Sequence, residues 1–141
     1  MQKEIKQTWH FNQPPQAVWE YLTQPGLLEQ WFTKTDMQPI PGHKFRFNDK
    51  SGKIIHCEVL EAKPFTNLSY SWQFISAKDD EPYQSKVVWT LVPKENGTEL
   101  QLVHGDFSAL EDYTAHNAGW TRLGTRLTEL LNTIKNDSTD A

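Results

Sequence analysis

The stretch that most limits what this chain can fold into lies near its C-terminus, from His116 to Ile134. Trp120, Leu123, Leu127, Leu130, Leu131 and Ile134 recur at spacings of three and four. A helix gathers them into one apolar stripe and turns Arg122, Arg126, Glu129 and Lys135 away from it. Such a stripe needs a partner surface. About 20 residues at roughly 1.5 Å rise make a rod about 30 Å long, enough to cross a whole small domain.

The residues upstream read as strands that supply this surface. Glu4 to Phe11 alternates Ile5, Gln7, Trp9 and Phe11 with Glu4, Lys6, Thr8 and His10, the period of a half-buried strand. Pro14-Pro15 breaks it and opens a short helix from about Pro15 to Thr23, with the second proline at a position where its missing N–H is harmless. Pro25-Gly26 separates a second helical piece, Leu27 to Phe32. Phe45 and Phe47 begin a hairpin that turns at Asn48 to Gly52 and returns from Lys53 to Ala62 with its core-facing side undecided between Ile55, Cys57, Val59 and Ile54, His56, Glu58, Leu60. Leu68, Tyr70, Trp72 and Phe74 form the clearest strand. Ser76 to Pro82 is a charged loop expected to be mobile and solvated. Val87, Trp89 and Leu91 then pair with Leu100, Leu102 and His104 across a hairpin signalled by Asn96-Gly97. An irregular segment after Gly105-Asp106 leads to the helix.

Hairpin-length connections make the strands antiparallel, and a sheet with one apolar face needs a cover. The expected fold is therefore α+β. A curved antiparallel sheet of six to seven strands wraps a long C-terminal helix, with two short helices after the first strand. The 141 residues suit one domain, residues 1–141, with a frayed tail at 136–141.

Composition narrows the function classes. With Cys57 as the sole cysteine, an internal disulfide and a multi-thiolate zinc site are both excluded. A net charge of −4 offers no basic footprint for nucleic acid. No apolar run approaches the roughly 20 residues of a membrane span, and the N-terminus lacks the pattern of a secretion signal, so a cytoplasmic location is expected. Six Trp, seven Phe and four Tyr exceed what an ordinary core of this size needs, so the rings either close on one another or line a cavity.

Five segments in order look familiar: Pro14 to Thr23 with Pro25, Leu28, Trp31 and Phe32; Leu68 to Trp72; Gly97 to Leu100; His104; and Gly119-Trp120 with Leu123 and Leu127. Together they resemble the activator of heat-shock-protein-90 ATPase homologue-like family, within the START-like, helix-grip superfamily also called SRPBCC. The resemblance covers essentially the whole chain. It implies a helix-grip fold with a deep, largely apolar pocket between sheet and C-terminal helix, as in superfamily members that hold lipids or polycyclic aromatic molecules. The same fold hosts polyketide cyclases, plant-hormone receptors and co-chaperone modules, so the resemblance bears more on architecture than on activity.

Candidate ligand-binding residues follow. Trp31, Phe45, Phe47, Trp72 and Trp89 can wall a pocket or fill the core. Gly119 and Gly124 each cost a helix roughly 1 kcal/mol relative to Ala. Gly124, on the inner stripe with Leu123, either leaves room for a ligand or lets the helix approach the sheet. Trp120 is expected to anchor the helix. His104 shares the parity of Leu100 and Leu102, so a neutral imidazole can meet a ligand carbonyl or phenol, or be a satisfied core group.

The resulting expectation is a noncatalytic carrier or sensor of a small hydrophobic molecule, aromatic or lipid-like. No cofactor, metal, catalytic residue, nucleic acid or membrane insertion is expected. Two alternatives stay open: an enzyme of cyclase or hydrolase type using His104 with a nearby acid, and an interaction module in contact with a chaperone.

Overall fold

The computed structural model describes residues 3–49 and 51–133. Strand β1 (Lys3–Phe11) is followed by helices α1 (Pro15–Thr23) and α2 (Pro25–Trp31). Strands β2 (Lys34–Thr35), β3 (Lys44–Asn48), β4 (Ile54–Lys63), β5 (Asn67–Ile75), β6 (Pro82–Lys94) and β7 (Gly97–Phe107) come next, and α3 (Leu110–Thr133) ends the described chain. The stripe residue Ile134, Lys135 and the tail at 136–141 lie outside the described residues.

The seven strands form one curved antiparallel sheet in the order β1-β7-β6-β5-β4-β3-β2. Consecutive strands from β2 onward pair as hairpins, while β1 pairs with β7. The chain must therefore travel from one edge of the sheet to the other after β1. Helices α1 and α2 make that crossing. Each opens on a proline in its first turn, and Gln24 ends one and begins the other. Pro25-Gly26 is thus the start of α2 rather than a spacer before it, since proline is preorganised for a first helical position.

Side-chain alternation matches the pleat. In β1, Ile5 and Phe11 are buried and Trp9 is half-buried, with Lys6, Thr8 and His10 exposed. In β5, Leu68, Tyr70, Trp72 and Phe74 all face the core. The undecided strand β4 turns Cys57 and Val59 inward. Burial pushes the Cys57 thiol well above its usual range, assisted by the charge of Asp36, so it packs as a small apolar group.

Other boundaries also differ from expectation. In the β6–β7 hairpin Lys94 pairs with Gly97, so Glu95-Asn96 is the two-residue loop. Gly97 instead begins β7 at φ +149°, where a Cβ would overlap the carbonyl of Phe11. Helix α3 starts at Leu110 rather than His116, with Glu111 and Asp112 in its first turn, where negative charge complements the helix end. The Asp112 carboxylate is buried and accepts hydrogen bonds from Ser76 Oγ at 2.5 Å and the Ala77 N–H at 2.8 Å. That contact pins the start of the β5–β6 loop, which was expected to be solvated throughout; residues 77–81 are exposed.

Helix α3 seats most closely on β1. Gln7 Nε2 donates to the Asn117 side chain at 2.9 Å and to Thr121 Oγ1 at 3.1 Å. One turn further on, buried Gly124 lies against Trp9, and a Cβ there would overlap the indole. Trp9 in turn leans on Trp89, ring centroids 6.3 Å apart, so it has little freedom to withdraw. Gly119 is the opposite case, because an added Cβ would meet nothing within 4 Å. Gly124→Ala is expected to destabilise the fold by about 1–3 kcal/mol through overpacking. Gly119→Ala should stabilise it by roughly 0.5–1 kcal/mol through helix propensity. Urea denaturation of the two variants checks the contrast.

Candidate functional site

Because α3 is drawn down onto β1, it stands away from the sheet over β3, β4 and β5. A cavity of about 370 Å³, open on one side, fills the difference. Phe47, Ile55 and Trp72 rise into it from the sheet, and Phe32 and Thr33 close it where α2 ends. Ala115, His116, Gly119, Trp120 and Leu123 face it from α3. Asp49, Lys53, Arg122 and Arg126 form its border.

The wall is built of mutually supporting rings. Phe32 stacks on Phe47 at 4.4 Å with an interplanar angle of 10° and meets Trp120 edge-on at 5.8 Å. Trp72 lies 5.4 Å from Trp120 and 5.7 Å from Phe47. Offset and edge-to-face contacts of this kind hold rings in fixed orientations.

Two histidines fasten the two wall indoles. Trp120 Nε1 donates to His104 Nδ1 at 2.9 Å, and Trp72 Nε1 donates to His116 Nε2 at 3.2 Å. An indole N–H can only donate, so each accepting nitrogen must carry a lone pair. The tautomers follow. His104 holds its proton on Nε2 and donates to Ser85 Oγ at 2.8 Å, and Ser85 donates onward to the Trp72 carbonyl at 2.8 Å. His116 holds its proton on Nδ1 and donates to the Asp112 carbonyl at 2.8 Å. Burial drives the His104 pKa well below its usual value, and neighbouring His116 adds to the shift. Burial also lowers His116, with Lys53 adding to the shift and Asp112 opposing it.

Of the ten candidates, Phe47, Trp72, Gly119, Trp120 and Leu123 border the cavity, and Trp120 also ties α3 to β7 through its bond to His104. Five do not. Trp31 and Trp89 meet edge-on at 6.5 Å in the core, their indoles donating to the Tyr21 carbonyl and the Tyr70 hydroxyl, each at 2.9 Å. Phe45 packs on Tyr70 at 5.3 Å. His104 faces inward as its parity required, but it is fully buried and both ring nitrogens are engaged, so neither is left to meet a ligand. Gly124 is closed off by Trp9 and makes no space.

Phe32, Ile55, His116, Arg122 and Arg126 border the cavity without having been singled out for it. His116 carried a signal, four residues before Trp120 on one helix face. The arginines were expected to point away from the stripe, and they do point away from the core; the cavity reaches out to them.

An antiparallel sheet curved around one long helix, with a cavity between the two, defines a helix-grip protein. Residues 12–132 match the family described as Activator of Hsp90 ATPase homolog 1-like protein. The chain belongs to that family. Protein MLL2253 from Mesorhizobium loti is 30% identical, with a TM-score of 0.89 over 95% of this chain and 100% of its own. DynU16, from the dynemicin biosynthetic locus, is 24% identical, with a TM-score of 0.82 over 92% of this chain and 47% of its own. The Aha1 dimer from Colwellia psychrerythraea is 18% identical, with a TM-score of 0.78 over 92% of this chain and 96% of its own. At these identities the last two show the fold alone. No functionally curated protein matches the chain. Among the described residues no helix is long and apolar enough to cross a membrane.

The histidines make stability depend on pH. Unfolded histidine titrates near about 6.5, and both native values lie lower, so below that pH the unfolded chain binds more protons than the folded one. Their stabilisation is complete above about pH 6.5 and is lost as pH falls, at up to about 1.4 kcal/mol per pH unit for each group, less for partly exposed His116. Urea denaturation at pH 7.5 and at pH 5 should differ by roughly 1–3 kcal/mol. A flat profile between them would show that neither histidine is held neutral.

Proposed function

We propose that this chain is a noncatalytic carrier or sensor that holds a small, largely apolar molecule, aromatic or lipid-like, between α3 and strands β3 to β5. The observation that carries this reading is the cavity itself. Its volume of about 370 Å³ lies in the usual range of small-molecule sites, about 300–1,000 Å³, and Phe32, Phe47, Ile55, Trp72, Trp120 and Leu123 give its inner wall ring and aliphatic surface.

The polar groups of the inner wall, His116 and Thr33, support a binding role over a catalytic one, and the titratable Asp49 and Lys53 stand out at the border. General acid–base chemistry needs a titratable group within hydrogen-bond reach of the substrate. His116 spends both nitrogens on Trp72 and Asp112, and Thr33 donates its hydroxyl to the Asn48 carbonyl. These bonds serve to hold the wall in place. A preorganised wall reduces the entropy lost when a ligand binds.

Trp72 and Trp120 in the wall provide the readout. Titration with flavonoid-like compounds, fatty acids and sterols is expected to quench or shift tryptophan emission saturably for at least one class. Gly119→Leu extends a side chain into space that is open in the native protein, so it should weaken that binding by about tenfold or more while leaving the urea midpoint at or above the native value. Saturable binding to no class, or full affinity in the Gly119→Leu variant, would sink the proposal.

A further inference from the structure

The border of the cavity differs in charge from the rest of the protein. The chain carries a net charge of −4, yet the border sets Lys53, Arg122 and Arg126 against Asp49. Three cations face one carboxylate there. Among the described residues, the ion pairs use Lys6, His10, Lys63 and Lys94, and none of the three border cations takes part in one. Arg122 and Arg126 stand four apart on α3, a spacing at which like charges repel. An anion between them relieves that repulsion.

The helix sequence explains how charge and space come together. Ala115, Gly119, Arg122 and Arg126 follow one another at spacings of four, three and four, so they form a second stripe beside the core stripe. Its first half is small and leaves the cavity open; its second half is cationic. Lys53 stands immediately before β4, on the same border of the cavity. Apolar wall and basic border are thus separated along one direction, as in a site for an amphipathic molecule. Guanidinium groups match carboxylates in planar, paired hydrogen bonds, which an ammonium alone does not.

Resting on the binding role proposed above, we infer that the ligand is an organic acid. Its apolar body lies on Phe47, Trp72 and Trp120, and its carboxylate sits at the mouth among Arg122, Arg126 and Lys53. Aromatic acids and fatty acids share this chemistry.

Calorimetric titration with two matched pairs, 2-naphthoate with 2-naphthamide and decanoate with decanamide, separates the two sources and isolates the charge. In at least one pair the acid should bind about tenfold tighter than its amide. Arg122→Gln with Arg126→Gln should bring that ratio to within about twofold while leaving amide affinity unchanged, and Lys53→Gln should reduce it in part. All three residues are exposed, so the variants should keep the native urea midpoint. Equal affinity for acid and amide in the native protein would overturn the acid assignment and leave the apolar-ligand reading intact. An undiminished ratio in the double arginine variant would overturn the placement of the carboxylate. Absence of binding by all four compounds would overturn the acid assignment, and the wider reading falls with it only if the flavonoid-like compounds and sterols fail to bind as well.

Discussion

The contact on which the rest of the structure depends is between Gly124 and Trp9. A glycine inside a helix costs roughly 1 kcal/mol, and here the absent side chain lets α3 rest directly on an indole of β1. Gln7 fixes the helix at the same edge through Asn117 and Thr121. With one side of α3 held close, the curved sheet falls away beneath the other side, and the gap over β3 to β5 is the cavity. Gly119 sits over that gap, so two glycines five residues apart on one helix do opposite things. One closes space and the other leaves it open.

The aromatic residues divide along the same line. Near β1 and β6 the rings of Trp9, Trp31 and Trp89 close on one another. Toward the gap, Phe32, Phe47, Trp72 and Trp120 pack edge and face but leave one side uncovered. Trp72 and Trp120 also give their N–H groups to two neutral histidines, which satisfies both indoles without placing charge in the interior. Buried polar groups are costly when unpaired, and this chain of Trp, His and Ser satisfies each member from the next.

Family membership accounts for the architecture and leaves the chemistry to individual side chains, because a fold does not by itself fix a function. This chain combines a ring-lined wall with a cationic border on an acidic protein. Neither feature is required by the fold. A sheet covered by a helix needs apolar residues at the contact, but it does not need two arginines beside an opening that form no ion pair among the described residues.

Much of the architecture was legible as periodicity. Alternation marked β1 and β5, a proline at a first helical position marked α1, and spacings of three and four marked α3, because those patterns follow from the local geometry of the backbone. The hairpin loop at Glu95-Asn96 was misplaced by one residue because the need for Gly97 comes from the Phe11 carbonyl, far away in the chain. The start of α3 was missed because Asp112 is held by Ser76. Strand parity and helix spacing named ten candidates, yet neither could divide them into wall and core. Period reports the side from which a side chain leaves its own element. A cavity depends instead on the distance to the opposing element, and in this protein that distance is set where Gly124 meets Trp9, residues that only the folded chain brings together.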